Sequence, residues 1–264
     1  MNIVRRESKA NAKSLILWSV GSVIMVATGM AKYAGMAGSG DSMNKLVASM
    51  PKSLQAIMGT ASFDLSKASG YYGLLFLYLL VMGTIHAAML GAGIIAKEER
   101  DKTAEFLFAK PVSRTKALSE KLLAAVGNLL IFNAVTLLSS IAFIRMYGNG
   151  ERFEETIVLL MAALLFGQLL FLSLGAFIAA ILKRPSAAGA CAAGMLLFTF
   201  LLSIAVNMKE ELHLLRYLTP FQYFEASKIM DAGLDPVFIS LSLFLTVGFT
   251  TLAYYFYNRK DLGS

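Results

Sequence analysis

The chain has 264 residues, of which 57% are hydrophobic and 16% are charged, and its mean hydropathy is +0.64. A soluble domain carries about a quarter charged residues, so this composition excludes an ordinary soluble protein and indicates a lipid environment. The net charge of +7 would suit nucleic-acid binding, but basic membrane proteins usually owe their charge to the positive-inside rule. The single cysteine, Cys191, excludes an internal disulfide, and its apolar surroundings predict a small core residue.

Six runs without Asp, Glu, Lys or Arg approach the length of about 20 residues that a helix needs to cross the bilayer core. They cover residues 14–31, 71–96, 122–144, 157–182, 187–207 and 237–257. Four residues separate the fourth run from the fifth, and Pro185 among them stops the earlier helix, which predicts an antiparallel pair. The sequence therefore predicts an all-α integral membrane protein with six transmembrane helices in a single domain, residues 1–264.

The distribution of Lys and Arg predicts the orientation of these spans. If the N-terminus is cytoplasmic, the cytoplasmic segments hold 15 of the 24 Lys and Arg residues and the outer segments hold 9. This bias predicts a multi-pass protein of the cell membrane with both termini in the cytoplasm, and it explains most of the net charge without a nucleic-acid partner. A cleaved signal peptide is the alternative for the first span, although its apolar run of 17 residues, Leu15 to Ala31, is long for one.

Two predicted outer segments, residues 34–70 and 208–236, are longer than simple connections. The first contains MPKSLQAIM, Met50 to Met58, whose apolar residues share one helical face, and the second contains LLRYLTPFQYF, Leu214 to Phe224. Aromatic residues of this kind favour the membrane interface. We expect short interfacial or re-entrant outer helices, and ordinary aromatic anchors without a further role are the alternative.

No predicted span contains Asp, Glu, Lys or Arg, which argues against a carrier driven by protons or ions, because such carriers usually need an ionisable relay within the membrane. The polar side chains that stand out in the spans are His86, Asn128, Asn133 and Gln168. Hydrogen bonds between helices, or packing in the case of His86, are the simpler interpretation. Two rows of small residues at four-residue spacing predict close helix packing and are compatible with a dimer. These rows are Gly83, Ala87 and Gly91, and Ser186, Ala190 and Gly194.

The chain lacks the sequence patterns of ATP hydrolysis and of metal binding. No Gly-Lys pair occurs, which excludes a phosphate-binding loop of the GxxxxGK[ST] type. There is no HExxH motif or paired-cysteine site, and His213 has no Cys or second His near it in the sequence. We therefore expect no catalytic residue, no metal site and no cofactor in this chain.

Residues 97–121 concentrate charge between two apolar runs, with 12 of the 41 charged residues of the chain. A helical hairpin needs about two to eight connecting residues, so the extra length indicates a function. Acidic residues at its start and Pro111 near its end predict a short helix, and Ser113 is placed to cap the helix that follows. Phe106, Leu107 and Phe108 lie in its middle, and exposed apolar residues surrounded by charge are typical of a protein contact.

This segment resembles the cytoplasmic signature of type-2 ABC transporter permeases, which follows their second span. The matching residues are Glu98, Glu99, Thr103, Glu105, Phe106, Leu107, Phe108, Pro111, Val112, Ser113 and Arg114. Six-span members, including bacitracin-resistance and sodium-extrusion permeases, are similar to this chain over essentially its full length. LTPFQYF, Leu218 to Phe224, also resembles their outer segment before the last span. One difference is Lys102, because many members have Gly before the Thr.

The resemblance implies the permease subunit of an ABC exporter, a transport protein and not an enzyme, which moves an unidentified substrate by alternating access. A separate cytoplasmic ATPase subunit would bind ATP and Mg and act through a coupling helix, and a second copy or a related permease would complete the pathway in the lipid membrane. The coupling residues would be Glu98, Glu99, Thr103, Glu105, Phe106, Leu107, Phe108, Pro111 and Arg114. The substrate pathway would include His86, Asn128, Asn133 and Gln168. The alternative is a membrane immunity or assembly protein that binds a toxin or lipid without transport.

Overall fold

A computed structural model describes residues 3–36, 40–51, 54–55, 58–60, 63–103, 112–148, 150–151, 153–208 and 210–260. Within these residues, six helices are long and apolar enough to cross a membrane. The first to sixth spans are Ile3–Met36, Ala68–Arg100, Arg114–Tyr147, Glu154–Ile181, Pro185–Met208 and Pro236–Arg259. The described part of the chain contains no strand, and the prediction of an all-α membrane protein is confirmed.

The helices extend beyond the charge-free runs that predicted them. The first begins at Ile3, so that the basic residues from Arg5 to Lys13 lie on the helix and not before it. The second continues to Arg100, and the third already begins at Arg114. A charge-free run marks the part of a helix that lipid can surround. The helix itself continues because its backbone hydrogen bonds do not depend on whether its side chains are charged.

The second and fourth spans pack against each other at the centre of the bundle, while the first packs mainly on the third and the sixth mainly on the fourth. A Cβ atom at Gly91 would lie 2.1 Å from the carbonyl oxygen of Leu172, and one at Gly175 would lie 2.2 Å from that of Ala88. The two backbones therefore approach more closely than any residue with a side chain allows. The row of small residues predicted in the second span has this packing role.

The corresponding row of the fifth span does not pack within the chain. Ser186, Ala190 and Gly194 are all exposed, and a Cβ atom at Gly194 would have no neighbour within 4 Å. Cys191 on the same helix is exposed too, so the prediction of a buried core residue was wrong. The reason is that an apolar run in a membrane protein does not distinguish a side chain facing other helices from one facing lipid.

Both described chain ends lie at the same end of the bundle as the turn between the second and third spans. The Ile3 amide donates to Glu120 Oε2 at 3.0 Å, and Lys260 Nζ lies 2.8 Å from Glu99 Oε2. We call this the terminal end. Residues 40–51, 63–67 and 210–235 lie at the other end of the bundle, which we call the opposite end.

Short helices build the opposite end, as predicted for the second outer segment, while the predicted helix at Met50 to Met58 lies partly outside the described residues. They are Gly40–Ser49, the 3-10 helix Glu210–Leu218, Pro220–Tyr223 and Ala226–Ala232. Phe221, Tyr223 and Phe224 are buried against the spans, and the Tyr223 hydroxyl donates to the carbonyl of Tyr217. Burial raises the pKa of Tyr223 to about 12, so this hydroxyl remains a hydrogen-bond donor at pH values where an exposed tyrosine would begin to ionise. The second outer segment is thus fixed to the bundle.

Candidate functional site

The predicted coupling residues divide between the described chain and residues 104–111, which lie outside it. Glu105, Phe106, Leu107, Phe108 and Pro111 belong to the second group. The structure therefore does not describe the core of the predicted coupling helix. Its flanks are described, and they belong to the two neighbouring spans.

The second span includes Glu98 and Glu99 in its last turn, so these acids do not begin a separate helix. The prediction that acidic residues mark a helix start was wrong at this point. Charge alone favours acids at a helix N-terminus, but here ion pairs with other spans outweigh that preference. At the other flank, Ser113 caps the third span through its Oγ, which accepts from the Lys116 amide at 3.2 Å, as predicted.

Lys102 turns the chain out of the second span. The Thr103 amide donates to the Glu98 carbonyl at 2.8 Å and the Lys102 amide to that of Glu99 at 3.3 Å. This pair of bonds is the Schellman arrangement, in which the residue after the cap takes the left-handed conformation and is usually Gly. Lys102 has that conformation, with a φ of +53°. Lys102 thus makes a bend at which Gly is the usual residue.

A buried charge cluster, formed by Arg6, Glu7, Lys97, Glu98 and Lys121, lies directly beneath this turn. Glu98 pairs with Lys121 and, at 2.7 Å, with Arg6. Glu7 lies 2.5 Å from Arg6 and 3.4 Å from Lys97. Glu7, Glu98 and Lys121 are all buried. The cluster joins the first, second and third spans at the terminal end.

Lys121 is the most enclosed cation of this cluster. Its side chain is fully buried, and its Nζ donates to the Ile94 carbonyl at 2.9 Å as well as to Glu98. A buried ammonium is tolerated only where carboxylate and carbonyl oxygens replace its water. The third span is therefore fixed in register against the last turns of the second.

A second set of polar contacts attaches the sixth span. Lys260 Nζ pairs with Glu99 and donates to the Ala179 carbonyl at 3.1 Å. Arg114 donates from one guanidinium nitrogen to the carbonyls of Asn258 at 3.1 Å and Lys260 at 2.6 Å. A cation at the end of a helix stabilises its free carbonyls. Glu99 and Arg114 thus connect the flanks of the coupling segment to the end of the sixth span.

The intramembrane polar residues are brought together only in part. Asn133 donates to Gln168 across the third and fourth spans, and Gln168 donates to the Gly83 carbonyl at 3.4 Å. Asn128 donates to Ala124 within its own helix. The ring of His86 is buried, with its centroid 5.5 Å from that of Trp18 and 5.3 Å from that of Phe132. Asn128, Asn133 and Gln168 thus have hydrogen-bond partners within the described chain, whereas the buried Nδ1 of His86 has none there.

The sequence reading missed the partners of the predicted acids. The sequence offers no motif for these partners, which stand out in it only as charges next to the spans. They are Glu7, Lys97, Lys121 and Lys260. A usable signal was present at Glu7, because it is the one acid among four basic residues before the first apolar run. A lone acid in a basic stretch suggests an internal ion pair, but the sequence does not identify its partners.

The similarity to known proteins extends over nearly all of these elements. A comparison with curated individual proteins finds no match. The family model of the ABC-2 family transporter protein matches residues 1–262, which include the six spans, the flanks of the coupling segment and the charge cluster at the terminal end. This chain belongs to the ABC-2 transporter family, and it is a type-2 ABC permease.

Proposed function

We propose that this permease is the membrane subunit of an ABC exporter whose alternating access is driven by a separate ATPase subunit. The ATPase would bind ATP and Mg, and this chain would hold no cofactor of its own. The supporting observation is the construction of the terminal end: both flanks of the coupling segment are tied to other spans through Glu98, Glu99 and Arg114. A movement of the coupling segment would therefore displace several spans together.

The terminal end would face the cytoplasm. Both described chain ends and the segment between the second and third spans lie there, and these segments contribute most of the 15 Lys and Arg residues of the basic side. The positive-inside rule places such segments in the cytoplasm of the cell. An ATPase that depends on cytoplasmic ATP would reach the coupling segment from this side.

The mechanical path would begin at Phe106, Leu107 and Phe108, inserted into a surface of the ATPase subunit. Glu105, Pro111 and Thr103 would shape the contact around them. Glu98, Glu99 and Arg114 would act from inside the permease, because their charged groups are already bound to residues of this chain. They would transmit the movement of the segment to the first, third and sixth spans.

A second permease copy, or a related permease, would complete the pathway. The exposed small residues Ser186, Ala190 and Gly194 of the fifth span would let another helix approach closely. Asn133 and Gln168 are the stronger candidates for substrate contact. Their hydrogen bond bridges two spans and would have to exchange partners whenever those spans separate. His86 and Asn128 would stay in packing roles.

Co-purification tests this function. The chain is expressed with the ATPase subunit from its gene neighbourhood, and Phe106→Ala with Phe108→Ala should abolish capture of the ATPase while the permease still inserts. Phe198→Ala with Phe244→Ala removes two exposed rings from the sides of the bundle and serves as the matched control. Unchanged capture and transport in the Phe106/Phe108 variant would refute the coupling role, and failure of every form to capture the ATPase would favour the non-transporting alternative.

A further inference from the structure

A cavity of about 380 Å³ lies at the opposite end of the bundle. Its walls come from the second and fifth spans and from both outer segments, including Phe63 of the first and Phe221, Gln222, Phe224, Glu225 and Ala226 of the second. Pockets that bind small molecules have volumes of about 300–1,000 Å³. The cavity thus has the size of a ligand site, and it is remote from the charge cluster at the terminal end.

The cavity wall is held in place by hydrogen bonds. Gln222 Nε2 donates to the Ser203 carbonyl at 3.1 Å and to Asn207 Oδ1 at 2.8 Å, which fixes the second outer segment to the end of the fifth span. Phe221 packs between Phe171 and Phe200, with ring centroids 5.5 Å and 5.2 Å away. These contacts preform the space before any ligand arrives.

The lining changes from polar to apolar with depth. Asn207 is next to the last residue of the fifth span, and Phe200 lies seven residues earlier on the same helix, which places it about 10 Å deeper. Phe76 and Leu80 of the second span extend the apolar part. A ligand with a polar head and an apolar body would match this gradient.

The charge of the lining residues indicates which charge the polar head of the ligand would carry. Glu225 is the ionisable side chain among the described lining residues, and they include no Lys or Arg. Its Oε2 lies 2.6 Å from Lys228 Nζ, but the Lys228 side chain is 56% exposed, and exposed pairs of this kind contribute little. A ligand cation could therefore share the carboxylate, while the phenylalanine rings of the wall would contact the apolar body.

We propose that this cavity is a binding site for a small organic cation with an apolar body, of the alkylammonium class. Glu225 binds the cationic head, and the rings of Phe76, Phe200 and Phe224 surround the apolar body. This site goes beyond the proposed transport function and does not depend on it, because binding needs neither ATP nor a second subunit.

Equilibrium binding of radiolabelled dodecyltrimethylammonium tests the site. The full chain is placed in phosphatidylglycerol nanodiscs, the probe is kept below its micellar concentration, and empty nanodiscs give the background. Glu225→Gln should weaken binding by about tenfold or more, as loss of a charged contact does. Asp231→Asn removes an equal charge from the same outer segment at an exposed position and should leave the affinity within about twofold.

Further measurements test the contribution of the phenylalanine rings to binding and identify the source of the ligand. Phe200→Leu removes part of the apolar surface that surrounds the ligand body and should also weaken binding. Unlabelled dodecyltrimethylammonium should compete and dodecyl sulfate should not. Weaker apparent binding in phosphatidylcholine nanodiscs would identify a lipid choline group as an occupant of the same site, and equal binding would identify a free amphiphile. Binding no greater than that of empty nanodiscs, or an unchanged affinity in Glu225→Gln, would overturn the proposal.

Discussion

Lys102 determines how the chain leaves the second span. Among the described residues it is the non-glycine residue with a positive φ, a conformation that costs an ordinary side chain about 1–2 kcal/mol. The two amide bonds of its Schellman arrangement hold it there. The direction of the coupling segment is thus set by the backbone, at a position where Gly would adopt the same geometry without strain.

Lys102→Gly should raise the unfolding temperature of the purified permease slightly, by about 1 °C, because relief of the left-handed strain exceeds the extra entropy of the unfolded chain. Lys116→Gly is the matched control, since Lys116 is also exposed but lies in regular helix. There Gly should lower the unfolding temperature by about 2 °C. Thermal unfolding in detergent measures both, and a similar fall in the two variants would contradict the role given to Lys102.

Lys121 is the residue on which the buried charge cluster depends most. Lys121→Met leaves Glu98 buried with Arg6 as its remaining partner, and removal of one member of a buried pair costs about 3 kcal/mol. Adding Glu98→Gln should restore a large part of the loss, because no unpaired charge is then left. Arg145→Met, which breaks the exposed pair with Glu154, should change stability little. Chemical denaturation measures the free energy of unfolding of each variant. If Lys121→Met and Arg145→Met lower it equally, the buried charge cluster does not stabilise the contact between the spans.

At the scale of elements, the second and fourth spans form the central pair because of their glycines. Gly91→Ala would bring a methyl group to 2.1 Å from the Leu172 carbonyl, so the helices must separate, and overpacking of this kind costs about 1–3 kcal/mol. Gly93→Ala, two residues further along the same helix, meets nothing within 4 Å and should be neutral or stabilising. The two substitutions are thus predicted to differ in sign in a stability measurement, and a common sign would contradict the packing.

The sequence predicted the six spans and the short outer helices because both follow from local patterns of apolar residues. It did not predict where helices end in water, because the left-handed conformation of Lys102 is not apparent from its residue type and the start at Ile3 involves a contact with the third span. The same limit applies to the site. The motif identified Glu98, Glu99 and Arg114, but their partners lie as far apart in the chain as Arg6, Lys121 and Lys260.

At the scale of the whole molecule, the two ends of the bundle are built differently. The terminal end has a dense set of ion pairs that tie the flanks of the coupling segment to the first and third spans and to the end of the sixth. The opposite end has buried aromatic residues and a cavity. This asymmetry suits a permease in which force enters at one end and a ligand is met at the other. The terminal end is therefore where contact with the ATPase is expected.

Site-specific photocrosslinking tests this expectation most directly. p-Benzoylphenylalanine is placed at Phe106 or, as the control, at Tyr217, which is exposed at the opposite end, and the permease is purified with its ATPase subunit and irradiated with and without ATP and Mg. The account predicts a crosslink to the ATPase from position 106 whose yield changes with nucleotide, and none from position 217. An intact complex without a crosslink from position 106, or with equal crosslinks from both positions, would contradict it.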